Sequence, residues 1–168
     1  LARWHKRIEL AEQDCLTKGV TSFQDAGSTL IEVERYTKLA EAGELDVRLW
    51  AMVRQPYSEI KDEMGAFPII GVGNNFFTVR AIKAAVDGAL GAFGAWLLRS
   101  YEDKDNFEGQ NITPITELKD MANLAVENDL QFCVHAIGDR GNRMVLNMYE
   151  TVFEENPEKE NLRWRIEH

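Results

Sequence analysis

The chain is poor in cysteine, in cationic residues and in long apolar runs, and each shortage excludes a class of protein. It has two cysteines in 168 residues, too few for the disulfide framework of a small secreted domain. Lysine and arginine number 19 against 28 acidic residues, for a net charge of −9. That balance argues against nucleic acid or an anionic membrane as the main partner. No apolar run approaches the roughly 20 residues of a membrane-spanning helix.

Both cysteines, Cys15 and Cys133, stand in apolar stretches. This setting favours buried free thiols in a reducing compartment, so we expect a cytoplasmic protein. The first residues also lack the apolar core of a signal peptide. The length and the 45% share of hydrophobic residues are typical of a globular domain with a core of its own.

Helical and strand-like hydrophobic periods alternate along the chain. Helical spacing is found at 3–18, from Leu30 to near Gly43, near 57–64, after Thr113-Pro114, and after Asp139. We expect Thr113 to be the N-cap of its helix, with Pro114 at the first helical position. Apolar, strand-like runs occupy residues 20–27, 45–53, 76–86, 130–137 and 162–168. Such alternation predicts a parallel sheet covered by helices.

The spacing of the strands narrows the prediction. Their starts fall near Val20, Asp46, Phe77, Gln131 and Leu162. Three of the four intervals are close to the roughly 31 residues per βα unit that follow from about 250 residues in eight units. The longer interval contains a loop at 88–112 that follows a strand, where such barrels carry their active-site insertions. We therefore predict an α/β fold, a partial (β/α)8 TIM barrel with about five of its eight βα units.

A doubly wound open sheet could be complete with five strands. However, the sequence begins inside a predicted helix and stops on a predicted strand, whereas a final parallel strand normally needs a covering helix. We therefore expect residues 1–168 to be the central part of a longer barrel. An incomplete barrel would expose sheet edges and apolar faces, so we also expect self-association or companion chains that cover them.

Two of the three histidines end strand-like runs. His135 and His168 are 33 residues apart, which is one βα repeat, so parallel strands would bring both to the same end of the sheet. Neutral imidazole is a good ligand for Zn²⁺ and similar ions. The alternative is two unrelated histidines, one capping a turn and one hydrogen-bonded in the core. The equivalent positions slightly favour the metal hypothesis.

Lys83 lies inside an apolar strand, and lysine is rarely buried without a partner. Reaction with CO₂ would turn its amine into a carbamate, an anionic group able to bridge two metal ions. The alternative is a lysine that pairs with Asp87 or reaches the rim of the sheet. The pattern alone favours that alternative.

Two weaker signals lie near these residues. Cys133 is two residues before His135, so a Cys–His pair is conceivable, but an apolar strand disfavours a thiolate and we expect a core residue. The segments "GVGNN" and "GALGAFG" are rich in glycine but do not match G-x-G-x-x-G. A nucleotide-dependent enzyme is therefore a weak hypothesis.

Four segments together carry a family resemblance. They are "GVTSFQDAG", "RAIKAAVDGALGAFGAWLLRSYED", "VHAIGDRGNR" and "RWRIEH". They resemble the amidohydrolase superfamily, and most closely the branch of N-substituted formamide deformylases and related uncharacterised metal-dependent hydrolases. The resemblance covers nearly all of the chain.

The resemblance implies a (β/α)8 barrel that holds one or two divalent metal ions, zinc being the expected metal. The often carboxylated lysine of the fourth strand corresponds to Lys83, and the histidines of the fifth and sixth strands correspond to His135 and His168. The family's H-x-H on the first strand and aspartate on the eighth are not in this sequence. Their absence agrees with the expected fragment and leaves the number of metal ions open.

The resemblance further implies hydrolysis of a C–N bond in an amide- or formamide-like small molecule by metal-activated water. His135 and His168 would be the catalytic metal ligands, with Lys83 beside them. We expect Trp96 and Tyr101 of the 88–112 loop to bind substrate, or alternatively to pack a lid. Asp139 would orient a ligand or cap the helix that follows it.

The fragment alone is expected to be inactive, with Lys83 unmodified, because it lacks half of the ligand set. The competing hypothesis is a metal-free α/β module whose strand-end polar groups bind a small ligand or a partner chain.

Overall fold

The computed structural model describes residues 2–168, with side chains from Arg3 onward, as alternating helices and strands. The helices are α1 (Ala2–Thr17), α2 (Leu30–Ala42), α3 (Tyr57–Ile60), α4 (Val72–Asn75), α5 (Ile115–Glu127) and α6 (Asp139–Glu155). The strands are β1 (Ser22–Ser28), β2 (Arg48–Val53), β3 (Ile69–Gly71), β4 (Phe77–Ala85), β5 (Gln131–His135) and β6 (Arg165–Glu167). In this described range, no helix combines the length and the apolar character needed to cross a membrane.

The chain divides into two compact units, the first made of the residues up to Val53 together with Pro68–Arg80. In this unit β1 pairs with β2 in parallel, and the Leu49 N–H donates to the Phe76 carbonyl at 2.7 Å, just before β4 begins. Helix α2 starts with a capping box in which Thr29 and Glu32 satisfy each other's backbone N–H groups. It ends at Gly43, whose φ of 71° is the left-handed conformation that glycine adopts without strain.

Just before β4, residues Ile69–Gly71 form the short strand β3, which is not among the strands predicted from the sequence. Ile69 pairs with Val79 of β4 in the antiparallel sense. The chain then reverses through Gly71 and Gly73, and a Cβ on Gly73 would lie 2.1 Å from the Ala40 carbonyl oxygen. A three-residue strand has too few residues for alternation to be visible in the sequence.

The second unit comprises Arg54–Phe67 and Ala81–His168. Here β4 pairs with β5 and β5 with β6, both in parallel. Phe132, the second residue of β5, is completely buried against Tyr149 of α6 and Trp164. The Tyr149 hydroxyl lies 3.0 Å from the Phe132 carbonyl oxygen and 2.9 Å from that of Arg165, which ties α6 to two strands.

All five predicted strands are present and alternate with helices, so the predicted partial (β/α)8 barrel is confirmed. Two predicted caps were wrong. Pro114, with extended ψ of 139°, occupies the cap position of α5 in place of Thr113, and α5 begins at Ile115. Helix α6 begins at Asp139 itself with Gly138 as its cap residue, so Asp139 is not the N-cap.

Candidate functional site

Two histidines meet where β5 and β6 end. His135 is the last residue of β5, His168 follows β6, and their ring centroids lie 4.5 Å apart with the planes inclined at 66°. The strand register aligns His135 with Glu167 and not with His168. His168 has a φ of 78°, so its side chain departs from strand alternation. The two side chains converge as predicted. They do so because the backbone turns at His168, which the sequence did not reveal.

Lys83 is buried on the strand next to His135, with 5% of its surface exposed. The register places Lys83 beside Cys133, while Ala85 lies beside His135, so Lys83 and His135 share one face of the sheet. The Lys83 Nζ donates to the Ala84 carbonyl at 3.3 Å, and within residues 2–168 it forms no ion pair. Pairing of Lys83 with Asp87 and escape to the rim were therefore wrong alternatives.

Burial lowers the pKa of Lys83, an effect that Glu167 opposes and the Arg54 cation reinforces. Burial also lowers the pKa of His135, and the neighbouring His168 and Lys83 lower it further while Asp87 opposes them. Both shifts favour the neutral forms. A neutral imidazole binds metals, and a neutral amine is the form that reacts with CO₂.

The donor set fits part of a metal site. The His135 Nε2 is buried and, in the described part of the chain, has no hydrogen-bond partner; the Asp87 Oδ1 is 3.7 Å away. Two adjacent imidazoles suit an ion such as Zn²⁺. No group of three or more His, Cys, Asp or Glu side chains within residues 2–168 is arranged to hold a metal. Because zinc usually takes four ligands, these residues could supply only part of a coordination shell.

A cavity of about 420 Å³ opens beside Lys83. Arg54, which directly follows β2, contributes a guanidinium to its wall, Glu117 contributes a carboxylate, and Ile112 and Met121 contribute apolar surface. Across the described residues Arg54 has no hydrogen-bond or ion-pair partner. The volume is in the range of small-molecule pockets, about 300–1,000 Å³. Sequence analysis did not identify Arg54, because its position in the wall of this cavity arises only on folding and has no sequence signal.

The two aromatic residues predicted to bind substrate lie elsewhere in the 88–112 loop. Tyr101 is buried, its hydroxyl donates to the Ala95 carbonyl at 2.9 Å, and its ring packs against Phe93 and Phe107. Trp96 is half-buried, with the Arg140 guanidinium 5.7 Å from its ring. Neither lines the cavity beside Lys83. Tyr101 thus packs the loop, as in the alternative hypothesis, and substrate contact by either residue stays a prediction.

The cysteines play no evident part in this site. Cys133 is completely buried, and its burial raises the pKa of the thiol although Arg165 opposes the effect. The prediction of a core residue at Cys133 is confirmed. Cys15 is free but only half-buried, which corrects the expectation that both thiols are buried.

Asp87 is the residue of this region whose role sequence analysis missed. Its side chain is fully buried and accepts three backbone hydrogen bonds, from Trp96 N at 2.8 Å, Ile137 N at 2.9 Å and Gly138 N at 2.7 Å. Asp-Gly pairs are typical of turns, so the dipeptide Asp87-Gly88 does not by itself indicate a buried acceptor. An acidic residue directly after an apolar strand was the one signal available, and it did not reveal the distant partners.

The family comparison covers nearly the whole chain. A sequence profile described as the amidohydrolase family matches residues 4–168. The putative amidohydrolase YtcJ of Bacillus subtilis (strain 168) is 27% identical over 150 residues, covering 85% of this chain and 27% of that protein. Protein LONG AFTER FAR-RED 3 of Arabidopsis thaliana is 38% identical over 87 residues, covering 52% of this chain and 15% of that protein.

Two crystal structures of uncharacterised metal-dependent hydrolases share the fold. The one from Pyrococcus horikoshii OT3 has a TM-score of 0.72 and 28% identity, covering 84% of this chain and 29% of that chain. The one from Pyrococcus furiosus has a TM-score of 0.76 and 25% identity, covering 88% of this chain and 31% of that chain. This chain therefore spans less than a third of the length of the proteins it matches.

Proposed function

Because the chain belongs to the amidohydrolase family, we propose that its protein is a metal-dependent hydrolase that cleaves a C–N bond in an amide-like small molecule. The observation that carries the proposal is the pair of imidazoles, His135 and His168, 4.5 Å apart at the ends of neighbouring strands. The names of the related proteins, a putative amidohydrolase and metal-dependent hydrolases, support the same chemistry.

Each residue of the site has a role in this proposal. His135 and His168 hold a divalent ion, with zinc as the proposed metal, and Lys83 offers its amine as the site of a carbamate ligand. When bound, such an ion supplies a water of lowered pKa and a Lewis acid for the carbonyl oxygen. Burial lowers the pKa of the Lys83 amine, which favours its neutral form, although the Glu167 carboxylate opposes the effect. These three residues give an incomplete set, and the proposal assigns the other ligands to the rest of the protein.

The cavity beside Lys83 is the proposed place for the substrate. Its walls combine the apolar side chains Ile112 and Met121 with the guanidinium of Arg54 and the carboxylate of Glu117. Formamide-like compounds are the proposed substrates, after the branch that the sequence resembles. The expected cytoplasmic location, self-association and inactivity of the isolated fragment stay predictions.

We expect Arg54→Ala to discriminate between anionic and neutral amides. An unpaired guanidinium in a pocket binds a carboxylate through charge-assisted hydrogen bonds worth about 1.5–3 kcal/mol. The variant should therefore raise KM by about 10-fold or more for an N-formyl amino acid, and leave KM for the matching neutral N-formyl amine unchanged. Steady-state kinetics of both substrates make the comparison.

Arg143→Ala is the matched control, since Arg143 lies on α6 and is absent from the cavity lining. Equal effects of Arg54→Ala on the two substrates would contradict the role of Arg54 in charge recognition.

Removal of the metal tests the proposed function itself. The purified full-length protein should contain a divalent metal, lose amide hydrolysis on dialysis against a chelator, and regain it on addition of Zn²⁺ or Mn²⁺. Elemental analysis and an assay on a panel of N-formyl and N-acyl amines provide both readouts. A folded protein that contains no metal and gains no hydrolysis from either ion would instead support a metal-free binding module.

A further inference from the structure

The Asp87 carboxylate joins two parts of the second unit. One oxygen, Oδ2, accepts the N–H groups of Trp96 in the 88–112 loop and of Gly138 at the start of α6, and Oδ1 accepts that of Ile137. The side chain has no solvent-exposed surface. A buried carboxylate with three short N–H bonds is held in one orientation, because rotating it would break all of them.

The same carboxylate faces the imidazole of His135. Its Oδ1 lies 3.7 Å from the His135 Nε2, which is buried and has no hydrogen-bond partner among residues 2–168. At this separation a small rotation of the ring would bring Nε2–H within hydrogen-bond distance of Oδ1. The Gly88 backbone is a competing partner of the ring, because it also forms a hydrogen bond with the His135 imidazole.

Glycines let the loop and the turn approach each other around Asp87. A Cβ on Gly138 would lie 2.0 Å from the Trp96 carbonyl oxygen, and a Cβ on Gly141 would lie 2.8 Å from the Asp87 Oδ2. The Gly141 N–H also donates to the Trp96 carbonyl at 3.1 Å. The Asp87 side chain is fully buried in this close packing, with the three backbone N–H groups as its hydrogen-bond partners.

We propose that Asp87 is a positioning residue that orients the His135 imidazole and, through the same carboxylate, fixes the 88–112 loop beside it. The part that concerns metal binding rests on the proposed function. Oδ1 accepts the Nε2–H of His135 and so selects the tautomer with its proton on Nε2, leaving the other ring nitrogen with its lone pair. A displacement of the loop then disturbs the histidine, because both are held by one side chain.

Asp87→Asn tests the inference, with Asp139→Asn as the matched control. Asp139 holds the same loop, since its Oδ1 accepts the Leu98 N–H at 2.8 Å, but within residues 2–168 it forms no hydrogen bond or ion pair with His135. Asp87→Asn keeps the shape of the side chain and removes half of its acceptor capacity. It should weaken Zn²⁺ binding by about 10–100-fold, the usual effect of losing a carboxylate behind a histidine ligand. Asp139→Asn should keep the wild-type metal affinity, because the Asp139 carboxylate accepts the Leu98 and Arg140 backbone N–H groups and not a histidine, contrary to the ligand-orienting role considered from the sequence.

Nitrogen NMR of the imidazoles in the metal-free full-length protein gives a readout that is independent of metal and activity. The His135 signals are assigned by their loss in His135→Ala. We expect the Nε2–H tautomer to predominate in the wild type and in Asp139→Asn, and to lose its predominance in Asp87→Asn. Because the wild-type spectrum alone shows the tautomer, the test does not depend on the stability of Asp87→Asn.

The possible outcomes separate this inference from the proposed function. A wild-type His135 protonated mainly on Nδ1 would overturn the inference. An unchanged tautomer in Asp87→Asn would overturn it as well, because Gly88 and not Asp87 would then orient the ring. A wild-type protein that binds no metal but shows the Asp87-dependent tautomer would overturn the proposed function and uphold the positioning role. Equal losses of Zn²⁺ affinity in Asp87→Asn and Asp139→Asn would mean that Asp87 only holds the loop and does not orient His135.

Discussion

Replacing His135 or His168 with alanine should remove the bound metal and lower kcat/KM of the full-length protein by at least about 100-fold. This 100-fold minimum is the upper end of the loss found for residues that only support a metal ligand. Replacing a ligand itself should cause a larger loss. Their rings are 4.5 Å apart, so the loss of either leaves a single imidazole at this end of the sheet. Metal content per protein and steady-state hydrolysis of an N-formyl amine measure the effect.

His5→Ala is the control for this pair. His5 is an exposed residue of α1, and its loss should change neither metal content nor kcat/KM. Circular dichroism of all three variants verifies that they are folded. Wild-type metal content in both His135→Ala and His168→Ala would contradict the assignment of these histidines as ligands, whatever their effect on the rate.

Gly138→Ala should lower the free energy of unfolding by about 3 kcal/mol, the upper end of the usual cost of overpacking a tight site. The added Cβ would lie 2.0 Å from the carbonyl oxygen of Trp96 and 2.5 Å from its nitrogen, so backbone and not a flexible side chain must move. That movement would also stretch the Trp96 N–H bond to Asp87, which is 2.8 Å long. Urea denaturation monitored by far-UV circular dichroism measures the change.

The same substitution at Gly91 provides the comparison. Gly91 lies in the same loop, and a Cβ there would meet nothing within 4 Å, so Gly91→Ala should change the stability by less than about 0.5 kcal/mol. If Gly138→Ala were as stable as Gly91→Ala, the close approach of the loop to the start of α6 would be wrong.

Much of the fold could be predicted from the sequence because hydrophobic period and strand spacing are local signals. The strands that end at Ala85 and His135 were predicted from continuous apolar runs, and the capping box at Thr29 shows the same agreement of local chemistry with structure. The strand at Ile69–Gly71 was not predicted, because three residues show no alternation. The cap at Pro114 was missed because the sequence does not fix where a helix begins to within one residue.

The site could be predicted only where the βα repeat itself places residues. His135 and His168 are one repeat apart, and this spacing brings them to the same end of neighbouring strands. The partners of Asp87 could not be predicted, because its carboxylate binds backbone N–H groups as far away as residue 138. Backbone groups carry no sequence signal, so a buried carboxylate that binds them looks like a turn residue in the sequence.

Diffraction at the zinc absorption edge, from crystals of the full-length protein grown with Zn²⁺, is the most direct test of the account. The prediction is an anomalous peak that is coordinated by an imidazole nitrogen of His135 and one of His168, with Lys83 at the same ion. A peak located away from both rings would contradict the proposal that these strand ends form a metal centre. Well-ordered His135 and His168 side chains with no anomalous peak between them would contradict it equally.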